Sequence, residues 1–172
     1  VTGVQTCALP IFLFCILTAH VVFAQQRLFT NQLDWNAHPY FKTIQGMEVS
    51  AHFFIRRNGD LVQFVSCDDR AWHAGASSYR GRNNCNDNSI GIELEGVEGG
   101  LFEESQYETL TSLCAAILQH YPIAHIAGHE HIAPGRKADP GTGFDWPLLQ
   151  QALGCTSQYF PDGIFEKNTF QK

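Results

Sequence analysis

Basic residues are scarce in this chain. Its 11 lysines and arginines face 17 aspartates and glutamates, a net charge of −6 over 172 residues, which excludes a surface built mainly to hold nucleic acid or another polyanion. Charge of either sign is missing from residues 1–26, although a secretory signal needs a basic stretch ahead of its apolar one. No two of the six cysteines form a C-x-x-C pair, so a thiolate zinc knuckle is excluded and a disulfide scaffold has no support. Internal repeats and low-complexity tracts are absent as well, which removes solenoids and linker-rich arrays. The longest apolar stretch, Ile11 to Ala24, is too short for a comfortable membrane span.

What remains is a chain that is 44% hydrophobic, enough for one domain with a sizeable core. Residues 1–11, VTGVQTCALPI, resemble the in-frame translation of a sequencing-library adapter, although Val22-Phe23-Ala24 would also pass as a signal cleavage site. We therefore expect residues 1–26 to stand outside the domain, the domain to cover 27–155, and the polar 156–172 to form a surface extension. Cys67, Cys85, Cys114 and Cys155 are expected as reduced thiols.

Local patterning predicts an α/β (α+β) domain. Val49 to Ile55 and Leu61 to Cys67 read as strands of a hairpin around Asn58-Gly59, a pair suited to positive φ angles. In Ser89 to Glu95, Ile90, Ile92 and Leu94 alternate with Gly91, Glu93 and Glu95, which is strand periodicity. Tyr107, Leu110, Leu113, Cys114, Ile117, Leu118 and Tyr121 recur at helical spacing between Glu103 and Tyr121. A second helix is expected from the cap Asp145 to the stop Gly154.

Chemistry concentrates in Gly128 to Gly141, a Gly/Pro-punctuated stretch containing His129, His131, Lys137 and Asp139. His129 and Asp139 are donors of the kind zinc accepts, and a catalytic zinc takes three protein ligands. By itself this pattern leaves a solvated loop open. Glu93 likewise reads either as an ion-paired carboxylate or as an acid with a raised pKa.

Five segments occur in the order and spacing of one family: His38-Pro39-Tyr40-Phe41, Val49 to Gly59, Ala71 to Gly75, Cys85 to Gly96, and Gly128-His129 through Pro140-Gly141. Over about residues 27–155 the chain closely resembles the AmpD-type 1,6-anhydro-N-acetylmuramyl-L-alanine amidases, within the zinc amidase group that includes peptidoglycan-recognition proteins and phage lysozyme-like amidases. The resemblance implies a central mixed β-sheet flanked by helices and a Zn2+ cofactor held by His129 and Asp139. It implies that Glu93 activates the attacking water, that Lys137 stabilises the oxyanion, and that Trp72, His73 and Ala74 wall the substrate groove. Zinc polarises a scissile carbonyl, a carboxylate takes and returns a proton, and a fixed ammonium meets charge on the amide oxygen.

The family's third ligand, a histidine in a segment like Val-Val-His-Asn, has no counterpart here. His20 lies eighteen residues before His38, nearer than the family's intervening loop and helix require. Two protein ligands imply weaker, less specific metal binding, and loss of the first strand would expose a sheet edge. Glu48 stands where some relatives place a basic residue, leaving Arg80, Arg82 or Arg136 as candidates to meet peptide carboxylates. The expected function is a cytoplasmic, monomeric amidase of peptidoglycan recycling acting on a 1,6-anhydro-muropeptide, with no nucleic-acid or membrane partner. A non-catalytic muropeptide-binding module and an exported amidase are the alternatives.

Overall fold

The computed structural model describes residues 9–14, 25–29, 32–37, 39–43, 45–46 and 48–165. In chain order, β1 is Leu9–Phe14, α1 Gln25–Phe29, α2 Pro39–Thr43, β2 Phe53–Ile55, β3 Leu61–Gln63, β4 Ser78–Tyr79 and β5 Arg82–Asn83. There follow β6 Ile90–Leu94, α3 Glu104–His120, β7 Ile123–Gly128, α4 His129–Ile132 and α5 Trp146–Leu153. Five strands form one sheet in the order β3-β2-β6-β1-β7. The β2–β6, β6–β1 and β1–β7 pairs are parallel and β2–β3 is antiparallel, so the sheet is mixed.

An interior place in the sheet, between β6 and β7, is filled by Leu9–Phe14, and the expected boundary at residues 26/27 does not coincide with an edge of the sheet. Ile11, Phe12, Leu13 and Phe14 are all fully buried. A parallel strand covered on both faces is a continuous apolar run, and such a run carries no periodicity to separate it from a signal-like or non-structural segment.

Alternation along the strands makes two unlike faces. Ile11 and Leu13 of β1, Phe53 and Ile55 of β2, and Ile90, Ile92 and Leu94 of β6 join Leu110, Leu113, Cys114 and Ile117 of α3 and Leu149 of α5 in the main core. The helix forms because its buried residues recur at three- and four-residue intervals. Its start is tied down by Gln106, whose side-chain oxygen accepts from the Glu103 N–H at 3.1 Å while its amide donates to the Glu95 carbonyl at 3.0 Å. Each aliphatic side chain buried here contributes roughly 1.5–3 kcal/mol. On the opposite face Phe12 and Phe14 pack with Ala74, Cys85, Ala127, Ile132 and Ala133.

The hairpin forms with shorter strands than expected, because Val49 to His52 run beside other segments: Ser50 N–H donates to the Trp72 carbonyl and His52 N–H to that of Gly91. Of Asn58 and Gly59 only Gly59 takes positive φ. A second hairpin, β4–β5, turns on Arg80 (φ 47°) and Gly81 (φ 82°). α5 starts and stops as expected, with the Asp145 carboxylate accepting from Leu148 N–H at 2.9 Å and Gly154 in the left-handed region. The polar tail is less detached than expected, because Phe160 is buried in the main core against Trp146 and Phe165. Cys67, Cys85, Cys114 and Cys155 are free thiols. Among the described residues no helix is long and apolar enough to cross a membrane.

Candidate active site

The site lies on the sheet face opposite α3. β7 ends at Gly128, where a Cβ would stand 2.7 Å from Cδ of Pro140, so the chain can turn closely into α4 and swing His129 inward. The Gly128 N–H donates to Nδ1 of His131 at 3.0 Å, and Glu130 N–H donates to the Asp139 carbonyl at 2.9 Å. This second bond brings the far end of the loop back onto α4. Asp139 Oδ2 consequently lies 3.2 Å from His129 Nδ1, with both side chains almost wholly buried. Two donors 2.0–2.1 Å from one tetrahedral zinc would be about 3.3–3.4 Å apart, so the pair has the spacing of two corners of such a site. The other ring nitrogen, Nε2, lies 3.2 Å from the Ala74 carbonyl oxygen.

Glu93 reaches this face from β6. It is fully buried, and among the described residues neither carboxylate oxygen has a hydrogen-bond partner, an arrangement that costs stability. Burial pushes its pKa well above the usual carboxylate range; Asp139 pushes it further and Lys137 opposes the rise. Lys137 is half-buried in the α4–α5 loop, with its N–H donating to the Ala133 carbonyl.

His73 is buried on top of Gly91, where a Cβ would meet its ring at 2.5 Å; no residue larger than glycine fits there without displacing the ring. Among the described residues neither of its ring nitrogens has a partner, and burial holds its pKa well below the ordinary value, aided by His52, His129 and Arg70. Buried Asn86 fixes this segment, its side-chain oxygen accepting from the N–H groups of His73 (3.0 Å) and Ala74 (2.8 Å). His52 accepts from Gly91 N–H at Nδ1, so Nε2 carries the proton and donates to the Asp69 carbonyl.

Of the expected groove wall, Trp72 alone is open to a ligand, at 57% exposure, with the Arg70 guanidinium 3.6 Å above its ring. His73 and Ala74 are buried behind it. Arg136 is committed to structure, donating to the carbonyls of Ala74 and Ala76 at 2.8 and 2.7 Å. Arg80 sits 3.9 Å from Asp162, while Arg82 and Glu48 are exposed. His20 and His38 lie outside the described residues.

One neighbour of the centre carries no chemical signal in the sequence. The Phe14 ring packs edge-on against His129 with centroids 4.6 Å apart, and 5.0 Å from His73. Among the described residues no group of three His, Cys, Asp or Glu side chains is gathered as a metal site.

Comparison with known proteins places the chain in a family. The family of N-acetylmuramoyl-L-alanine amidases matches residues 17–142. The 1,6-anhydro-N-acetylmuramyl-L-alanine amidase AmpD of Citrobacter freundii is 53% identical over 132 residues, 76% of this chain and 71% of that protein. A crystal structure of a selenomethionine AmpD derivative superposes with a TM-score of 0.78 at 44% identity, covering 85% of this chain and 84% of that one. A complex of the Escherichia coli amidase AmiD with the substrate anhydro-N-acetylmuramic acid-L-Ala-D-γ-Glu-L-Lys superposes at 0.64 with 28% identity, covering 90% and 61%. With a family match across most of its length and a relative 53% identical over 76% of it, the chain belongs to the N-acetylmuramoyl-L-alanine amidase family.

Proposed function

We propose that this domain is built to hydrolyse the amide joining 1,6-anhydro-N-acetylmuramic acid to the L-Ala of a stem peptide, as part of cytoplasmic peptidoglycan recycling. The observation that carries this reading is the juxtaposition, on one buried sheet face, of the His129–Asp139 pair with a carboxylate, Glu93, that no group among the described residues satisfies. Buried ionisable groups held at such cost are a mark of working sites. AmiD, whose structure holds an anhydro-muropeptide substrate, has the same fold.

Zinc is the cofactor we assign to the family's reaction, and His129 and Asp139 are the donors we assign to it. Among the described residues two such donors are brought together where a catalytic zinc takes three, and we read the chain as impaired for that reason. The protein groups supply the rest. Glu93, buried on the same face beside Asp139, is the group we assign to take a proton from the attacking water and return it to the departing amine. Lys137 offers a fixed positive charge to the amide oxygen as negative charge develops there. Trp72, exposed with the Arg70 guanidinium stacked on its ring, is the side chain we assign to the ligand groove, and Asn86 holds His73 and Ala74 behind it.

The test is incubation with anhydro-N-acetylmuramyl-L-Ala-D-γ-Glu-L-Lys and excess zinc, followed by chromatography and mass spectrometry for free tripeptide. Slow release that rises with added zinc and disappears in Glu93→Gln is expected. The missing third donor favours one other reading, a muropeptide-binding module. Tight binding of intact substrate with no release at any zinc concentration would establish that reading instead.

A further inference from the structure

The end of β1 is the third side of the centre. Phe14 pairs in register with Glu93 on β6, and Leu13 pairs with Gly128 on β7, the residue before His129. Pleating sends Ile11 and Leu13 to the α3 core and Phe12 and Phe14 to the site face. The Phe14 side chain therefore stands between the strand that carries Glu93 and the one that leads into His129. It is fully buried, with its ring on both His129 and His73. On the side of His129 that faces β1, the described strand offers the Phe14 hydrocarbon ring and no donor side chain.

We infer that Phe14 is the residue that sets metal affinity in this chain: its ring occupies the corner from which a third ligand would come, and a donor at this one position completes the site. The choice of zinc rests on the amidase reading; the geometry does not. A strand of apolar residues fills the slot between β6 and β7, because burial asks only for hydrophobic side chains of suitable size, but it does not bring the donor.

Imidazole is smaller than the phenyl ring, so Phe14→His asks for no extra room. The experiment is a zinc titration of the full chain in competition with a fluorescent chelator, with metal content measured after dialysis. The unaltered chain and Phe14→Leu, which keeps an apolar side chain, should retain little zinc. Phe14→His should hold one zinc per chain with affinity raised at least about a hundredfold, since even groups that only support a ligand are worth about 10- to 100-fold. Adding Asp139→Ala to Phe14→His should abolish the gain. Cobalt(II) in place of zinc should give the visible absorption of a tetrahedral site in Phe14→His only. If Phe14→His fails to melt cooperatively, Phe14→Cys, with a thiolate donor on a smaller stem, is measured in the same way.

Tight binding of one zinc by the unaltered chain would overturn the inference, as would a folded donor variant with less than about a tenfold gain. Peptide release measured on the same samples separates the two readings. Zinc gained by Phe14→His without release would overturn the amidase reading and leave this inference standing. Release by an unaltered chain that already binds zinc tightly would do the reverse.

Discussion

The sheet face that packs on α3 brings together Ile11, Leu13, Ile55, Ile90, Ile92 and Leu94, all apolar, whereas the opposite face buries Glu93, His52, His73 and His129 among Phe12, Phe14 and Phe54. Both faces are closed to water, yet on the first burial is favourable for every atom and on the second it leaves Glu93 and His73 without hydrogen-bond partners among the described residues. The fold is held by one side of the sheet, and the other side uses part of that stability to keep ionisable groups in a dry place. Position 14 belongs to both accounts, being apolar like the first face while standing on the second.

The contrast can be broken most sharply at Glu93. In the Phe14→His background loaded with zinc, Glu93→Gln should lower kcat/KM by about 10²–10⁴ while the urea midpoint stays level or rises, because an unpaired buried carboxylate is removed. A fall in stability as large as the fall in turnover would mean that Glu93 is structural. On the other face Leu110→Ala should show the reverse pattern, costing about 2–5 kcal/mol in urea unfolding with zinc stoichiometry in that background unchanged. Gly91→Ala lies between them. A Cβ there comes within 2.5 Å of the His73 ring, so a loss of about 1–3 kcal/mol is expected, with the imidazole signals of His73 shifted in NMR spectra.

The smallest effect concerns the thiols. Burial pushes Cys114 up to about 12 and also raises Cys67, Cys85 and Cys155. Half-buried Cys67 and Cys155 should therefore be alkylated in the folded protein before Cys85, and Cys114 last. The sign for stability follows from the same shift. An acidic group with a raised folded-state pKa contributes fully below the unfolded value, 9.0 for Cys114, and loses its contribution as pH rises toward about 12. Comparing Cys114→Ala with the unaltered chain should show the unaltered chain losing stability faster above pH 9.

Much of the α3 side was legible in the sequence because repeating spacings and capping residues report it directly. The helical recurrence of Leu110, Leu113, Cys114 and Ile117, the alternation of Ile90, Ile92 and Leu94, and the Asp145 cap with its Gly154 stop all lie where they were read. β1 was not legible, because Leu-Pro-Ile-Phe-Leu-Phe has no period to count and belongs to a stretch without charge. The β4–β5 hairpin was hidden because Arg80, not a glycine or asparagine, takes the first left-handed position of its turn. Phe160 was hidden by its polar surroundings.

The site divides in the same way. Glu93, His129 and Asp139 could be chosen because their residue types advertise chemistry, and the structure brings all three to one face. The supporting parts could not be ranked from the sequence: Asn86 holding two backbone N–H groups, Gly91 yielding space to His73, and Arg136 bridging Ala74 and Ala76. Phe14 carried no signal at all, since a hydrocarbon side chain shows its importance only when its neighbours are known.

The central claim, an amidase centre complete but for one donor, is tested most directly by a side-by-side assay of the unaltered chain and Phe14→His at equal total zinc. The quantity measured is free L-Ala-D-γ-Glu-L-Lys released from the anhydro-muropeptide. The account expects Phe14→His to release the tripeptide at one bound zinc per chain, with the unaltered chain slower by at least about tenfold, the lower end of what a metal-supporting group contributes. Intact substrate from both proteins, with zinc bound to Phe14→His, would contradict it.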